Sequence, residues 1–166
     1  MKTISEVLEI VNHFRERVPV DVRGLALALG ASISEDELDP TISGILHKHG
    51  EGRFSITVNS RHPRLRRRFT IAHEIGHLIF HSNLIGDGII DNKAYRAEGI
   101  QNRSKIGQRQ ETEANKFAAN LLMPATAIIN LQDEGITSVK EIAERLGVSE
   151  AAVSIRLSAT KPPVGA

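Results

Sequence analysis

Phe69-Thr70-Ile71-Ala72-His73-Glu74-Ile75-Gly76-His77-Leu78-Ile79-Phe80 is the stretch that decides how this chain folds and what it can do. It is apolar nearly all round, so as a helix it belongs in a core. Inside it stands the pattern H-E-x-x-H. Residues four apart on a helix lie on one face, one turn from each other. His73 and His77 can therefore aim two imidazoles at one ion, with Glu74 beside them. Two neutral imidazoles on a rigid helix suit zinc, and a glutamate between them suits a general base. The combination points to metal-assisted hydrolysis of a peptide bond. Ala72 and Gly76 are small and one turn apart, which lets another backbone approach closely.

The helix should run from Pro63 to His81, because proline suits a first helical turn. Upstream, Ile42 to Lys48 and Arg53 to Asn59 read as two strands around a His49-Gly50-Glu51-Gly52 turn. In the second, Phe54, Ile56 and Val58 alternate with Ser55, Thr57 and Asn59. Extended structure should begin earlier, at Ile33. Ile4, Val7, Leu8, Val11 and Phe14 recur at helical spacing, so residues 3–16 read as an amphipathic helix ended by Pro19. Asp21 can cap a short helix through Leu29, which Gly30 stops. Downstream, residues 82–107 are polar and glycine-bearing, and they read as a long functional or mobile loop. Helix returns from Gln108 to Met123, is broken by Pro124, and resumes briefly to Leu131. Ile142, Ala143, Leu146, Val148, Val153 and Leu157 describe two more helices around Gly147, before a frayed Lys161-Pro162-Pro163 tail.

The 166 residues, 40% hydrophobic and 25% charged, fit one globular domain with a real core. No apolar stretch is long enough to span a bilayer, and the early Glu6 argues against a secretory signal, so the expected location is cytoplasmic. With no cysteine, a metal must be held by histidines and carboxylates. The net charge of +1 favours no class of partner. Glu35, Asp36, Glu37 and Asp39 cluster, as do Arg61, Arg64, Arg66, Arg67 and Arg68. Each cluster reads first as solvated surface, with docking of an acidic partner by the arginines as the lesser reading.

A catalytic zinc wants three protein ligands and an open position. The best source of the third is Glu111-Thr112-Glu113-Ala114-Asn115. Glu111 and Asn115 share a helix face, and a ligating carboxylate with a polar residue one turn on resembles the Glu-zincin arrangement, in which the second residue orients the first histidine through its free ring nitrogen. Glu113 is offset by two positions, so it should point away from Glu111, to the surface or to a supporting contact. His81 extends the histidine stripe by a turn and reads as a supporting or helix-end residue. Tyr95, the sole tyrosine, and Arg96 are possible auxiliary oxyanion donors in the long loop, as His81 is a possible auxiliary of the site. His47 and His49 fall at a strand end and a turn, with no claim to chemistry.

Phe69 to His77, followed by Glu111-Thr112-Glu113-Ala114-Asn115-Lys116-Phe117-Ala118-Ala119-Asn120-Leu121-Leu122-Met123-Pro124, resembles the ImmA/IrrE family of metallopeptidases. The Ile56-Thr57-Val58-Asn59 strand resembles it too, and the likeness extends from about Asp21 to Leu157. It implies an α+β, mainly helical, zincin-like metalloprotease domain. A small β-sheet precedes the H-E-x-x-H helix and a helix-turn-helix-like segment ends it. The expected organisation is one domain over residues 1–166, with a catalytic core at 1–124 and the helical segment at 125–160. The resemblance also implies one zinc ion held by His73, His77 and Glu111, with Glu74 catalytic. It implies an intracellular endopeptidase that cleaves a helix-turn-helix repressor or antitoxin protein. Asn115 stands where better-known Glu-zincins have aspartate, and a neutral amide tunes a ligand histidine more weakly.

The competing reading is a catalytically weak or silent regulator that binds DNA or a partner protein through Val139 to Leu157. Its second helix offers Glu150, Ala151, Ala152, Ser154 and Arg156. Base readout usually needs several Arg, Lys, Asn or Gln reaching the groove, so direct DNA binding is the weaker expectation.

Overall fold

The computed structural model describes residues 2–86, 89–90 and 106–159. Helix α1 (Ile4–Arg15) opens with a capping box: Thr3 accepts from the Glu6 amide while the Glu6 carboxylate takes the Thr3 amide. Asp21 caps α2 (Val22–Ala28) through the Gly24 amide. Strands β1 (Ala31–Asp36), β2 (Gly44–Lys48) and β3 (Phe54–Asn59) follow, with a 3-10 turn at Gly50–Gly52 between the last two. Helix α3 (Arg64–His81) carries H-E-x-x-H, and Pro63 stands just before its first turn. A two-residue strand β4 (Ile89–Ile90) lies within the segment read as loop. Helices α4 (Gln108–Leu122), α5 (Ala125–Asp133), α6 (Val139–Leu146) and α7 (Glu150–Ala159) complete the fold. The architecture is α+β, mainly helical with a small sheet, as expected.

The sheet order is β1-β3-β2-β4. β2 and β3 form the expected antiparallel hairpin, Gly44 opposite Val58 and Lys48 opposite Phe54. β1 lies parallel on the other side of β3, Ala31 opposite Phe54 and Asp36 opposite Asn59. β3 is thus central, and the alternation read from its sequence is the burial of Ile56 and Val58. Leu46 of β2 is buried with them, and α3 packs on both strands. Asn59 is wholly buried. Its amide donates to the carbonyls of Asp39 (3.0 Å) and Ile42 (2.9 Å), and its Oδ1 accepts from the Arg61 amide (3.0 Å). One side chain thereby ties the β1–β2 connection to the turn that enters α3.

One hydrophobic cluster runs from α1 and α2 through the sheet to α3 and α4 and includes Ile142, Ala143, Leu146 and Val153 of the last two helices and Val148 of the turn between them. Gly147 ends α6 in the left-handed conformation (φ 66°), which a glycine adopts without the Cβ penalty. Its carbonyl accepts from Arg68 Nε of α3 at 3.0 Å. Among the described residues the two charged clusters meet at two ion pairs. Glu35 bridges Arg23 and Arg67, and Arg61 pairs with Glu37 at 2.9 Å. Arg66 donates to Ser43 Oγ. Among the described residues no helix is long and apolar enough to cross a membrane.

Candidate metal centre

The site is made where α3 crosses α4. Gly76 lies at the crossing: a Cβ there would stand 3.1 Å from Ala114 Cα and 3.3 Å from Ala114 O. The absence of a side chain is what lets the helices come this close. His73 and His77 lie one turn apart on α3, flanking this contact in sequence, and Glu111 lies one turn before Ala114 on α4. The crossing brings all three together, and all three are buried.

His73 Nε2 and His77 Nε2 are 3.0 Å apart. Glu111 Oε2 lies 3.2 Å from the first and Oε1 3.1 Å from the second. Ligands placed tetrahedrally on zinc at roughly 2.0–2.1 Å have donor atoms about 3.3 Å apart, close to the spacing here. Three lone-pair donors so close repel unless a cation or a proton lies among them. Burial pushes the His77 pKa below its ordinary value, against a hydrogen bond to Glu111 that raises it. The neutral imidazole, the form that ligates a metal, is thereby favoured. The donor set therefore fits a zinc-like ion.

The surrounding contacts orient the rings. Asn115 Oδ1 lies 2.8 Å from His73 Nδ1 and leaves His73 Nε2 to face the centre. His77 Nδ1 lies 3.0 Å from His81 Nδ1. His81, the last residue of α3, reaches Glu113 Oε2 through Nε2 at 2.8 Å, and Glu113 Oε1 accepts from Arg109 Nε at 3.0 Å. Glu74 is fully buried and projects from a different part of α3, toward β2, where its Oε1 would be 3.7 Å from a Cβ on Gly44.

The structure thus brings together His73, His77, Glu111 and Asn115 of the residues singled out in the sequence, with His81 directly behind His77. Glu113 is not a member of the His73–His77–Glu111 group, and its supporting contact is with His81. The sequence carries a trace of that contact: Arg109 and Glu113 are four apart, as are His77 and His81, so two helix stripes face each other. Which stripes meet is a tertiary fact. His49 bonds Ser55 Oγ at 2.8 Å in the β2–β3 turn, away from this centre as expected. Tyr95 and Arg96 lie outside the described residues.

A buried His-His-carboxylate triangle on two crossing helices, with a glutamate beside the first histidine, defines a candidate one-metal hydrolytic centre. The chain belongs to the family described as the IrrE N-terminal-like domain, whose model matches residues 28–158. The resemblance drawn from the two motif blocks is borne out. The chain is 35% identical over 111 residues to the radiation response metalloprotease IrrE of Deinococcus radiodurans, an overlap covering 64% of this chain and 31% of the relative. In fold it is similar to a Mycobacterium tuberculosis transcriptional regulator, with a TM-score of 0.61 at 20% identity, covering 98% of this chain and 49% of that one. The chain therefore spans about a third of the one relative and about half of the other.

Proposed function

We propose that this chain is an intracellular zinc-dependent metalloendopeptidase with a regulatory role. The observation that carries the reading is the convergence of His73, His77 and Glu111 on one point, with Glu74 buried on the same helix. Those three side chains would hold one zinc ion. When bound, zinc lowers the pKa of water and polarises a carbonyl oxygen. Glu74 takes the proton from the attacking water and returns it to the leaving amine. Its burial keeps that carboxylate out of bulk solvent, and its seat against Gly44 gives it a fixed orientation. The substrate class is a helix-turn-helix repressor or antitoxin protein, which the family's metalloprotease member and its transcriptional-regulator neighbour both suit.

In this reading residues 125–160 accompany the catalytic core as a docking unit for that protein. Ile155 is 72% exposed on α7, and Ala151, Ser154 and Ser158 share its open side. This surface suits contact with protein better than readout of base edges. A silent regulator that acts through the same helices is the alternative.

The two readings part at Glu74. Glu74→Gln should retain zinc and lose about 10²–10⁴-fold in cleavage of a co-expressed repressor from the same genetic neighbourhood. Glu111→Ala should lose the metal. Full-rate cleavage by Glu74→Gln would sink the enzyme reading.

A further inference from the structure

Behind the ligand atoms a hydrogen-bonded path leads from the centre to the surface: His77, His81, Glu113, Arg109. The proposed reaction makes no use of it. The His81 side chain is 4% exposed and that of Glu113 42% exposed, so the path begins in the core and ends in water.

The positions of the protons follow from what each group can do. A neutral imidazole has one N–H and one lone pair, and an ionised carboxylate only accepts. Glu113 Oε1 accepts from Arg109 Nε at 3.0 Å, and the half-exposed carboxylate meets His81 Nε2 through Oε2 at 2.8 Å. His81 must then donate to it from Nε2. That leaves a lone pair on His81 Nδ1. The proton in the 3.0 Å contact between the two Nδ1 atoms therefore belongs to His77. With its proton on Nδ1, His77 presents a lone pair at Nε2, toward His73 Nε2 and Glu111.

We infer that Glu113, acting through His81, locks His77 in the one neutral tautomer that can ligate a metal through Nε2. Both are positioning residues. His81 is not a fourth ligand, because each ring nitrogen is already engaged. The arrangement also answers the weakness expected from Asn115. His73 is oriented by a neutral amide, whereas His77 is oriented by a full negative charge relayed through a second imidazole. The two histidines thus differ in what stands behind them, a neutral amide at His73 and an imidazole–carboxylate pair at His77.

The inference rests on the metal-site reading, and the test separates the two. Zinc affinity is measured by chelator competition for the wild type, Glu113→Ala, Glu113→Gln, His81→Phe and His81→Gln. The ring nitrogens of His77 are read by ¹⁵N NMR in the zinc-free proteins. Disrupting the shell behind a metal ligand costs roughly 10–100-fold in affinity, and Glu113→Ala and His81→Phe should fall in that range. Glu113→Gln should recover part of the loss, since its amide oxygen still accepts from His81. His81→Gln should likewise recover part, since its oxygen accepts from His77 Nδ1–H. In the wild type His77 should carry its proton on Nδ1; in Glu113→Ala the two tautomers should mix. A wild type that takes no zinc overturns the metal reading and the relay with it. A wild type that binds zinc while Glu113→Ala binds within about twofold of it overturns the relay alone. So does a wild-type His77 protonated on Nε2. Glu113 is half-exposed, so an unchanged melting temperature of zinc-free Glu113→Ala is the check that its fold is intact.

Discussion

Adding one methyl group at Gly76 should loosen the metal centre from a position that touches no metal. A Cβ there would meet Ala114 Cα at 3.1 Å, Phe117 Cδ1 at 3.2 Å and Ala114 O at 3.3 Å. Two of the three are backbone atoms, so α4 itself must withdraw by a few tenths of an ångström. Overpacking a filled interior costs about 1–3 kcal/mol. Alanine offsets about 1 kcal/mol of this through its better helix propensity. The net loss for Gly76→Ala is therefore about 1 kcal/mol, and for Gly76→Val, with two more methyls to house, about 3 kcal/mol. In a chain of this size each kcal/mol lowers the melting temperature by about 2–4 °C. Glu111 lies one turn before Ala114, so the retreat carries its carboxylate away from the histidines. Donor spacings of 3.0–3.2 Å leave little slack, since metal–ligand distances hold to about 0.2 Å. Misplacement by about 1 Å can cost a hundredfold, so a fraction of that should weaken zinc about tenfold in Gly76→Val. The assay is chelator competition beside thermal melts in EDTA. If Gly76→Val melts with the wild type and binds zinc as tightly, the crossing does not set the ligand spacing.

Three further outcomes are expected. Asn115→Asp places a carboxylate on His73 Nδ1–H, now 2.8 Å from an amide oxygen, and should tighten zinc severalfold, whereas Asn115→Leu should weaken it about 10–100-fold in the same competition. Arg68→Met keeps the stem of a half-buried side chain but loses the bond to the Gly147 carbonyl; urea unfolding should register about 1 kcal/mol. Burial lowers the pKa of His77 in the folded state, so on acidification the unfolded chain takes up that proton first. Zinc-free protein should therefore lose stability as pH falls through about 6.5, the ordinary histidine pKa. That slope should shrink in His77→Gln, as followed by melts between about pH 7.5 and 5.5.

What the sequence made legible is what period and local chemistry control. Helical spacing placed α1 and α3 within a residue or two, and alternation identified the buried face of β3. The glycine at 147 marked the end of α6. Asp21 announced its own cap. The grouping of His73, His77 and Glu111 was legible because two of its members share one helix turn and the third opens the next motif block. Pairings between distant elements were not. Nothing local says that β1 lies parallel to β3 rather than beyond β2, or that His81 meets Glu113 across 32 positions. Both follow from how two faces dock, and a single chain's periodicity names faces without matching them. The arginine run illustrates the same limit. Its residues read as solvated, yet Arg67 is anchored by Glu35 and Arg68 by the turn between α6 and α7.

That mutual anchoring bears on how another molecule finds this surface. Acids and arginines that satisfy one another present dipoles rather than a net field, and dipolar fields fade quickly with distance. With a net charge of +1 there is no compensating pull from the whole chain. Encounter with a partner through this face should then proceed at the unsteered rate of about 10⁵–10⁶ M⁻¹s⁻¹ and change little as salt is raised. Selectivity at this face falls to the fit of surfaces already in contact, not to attraction between molecules still apart.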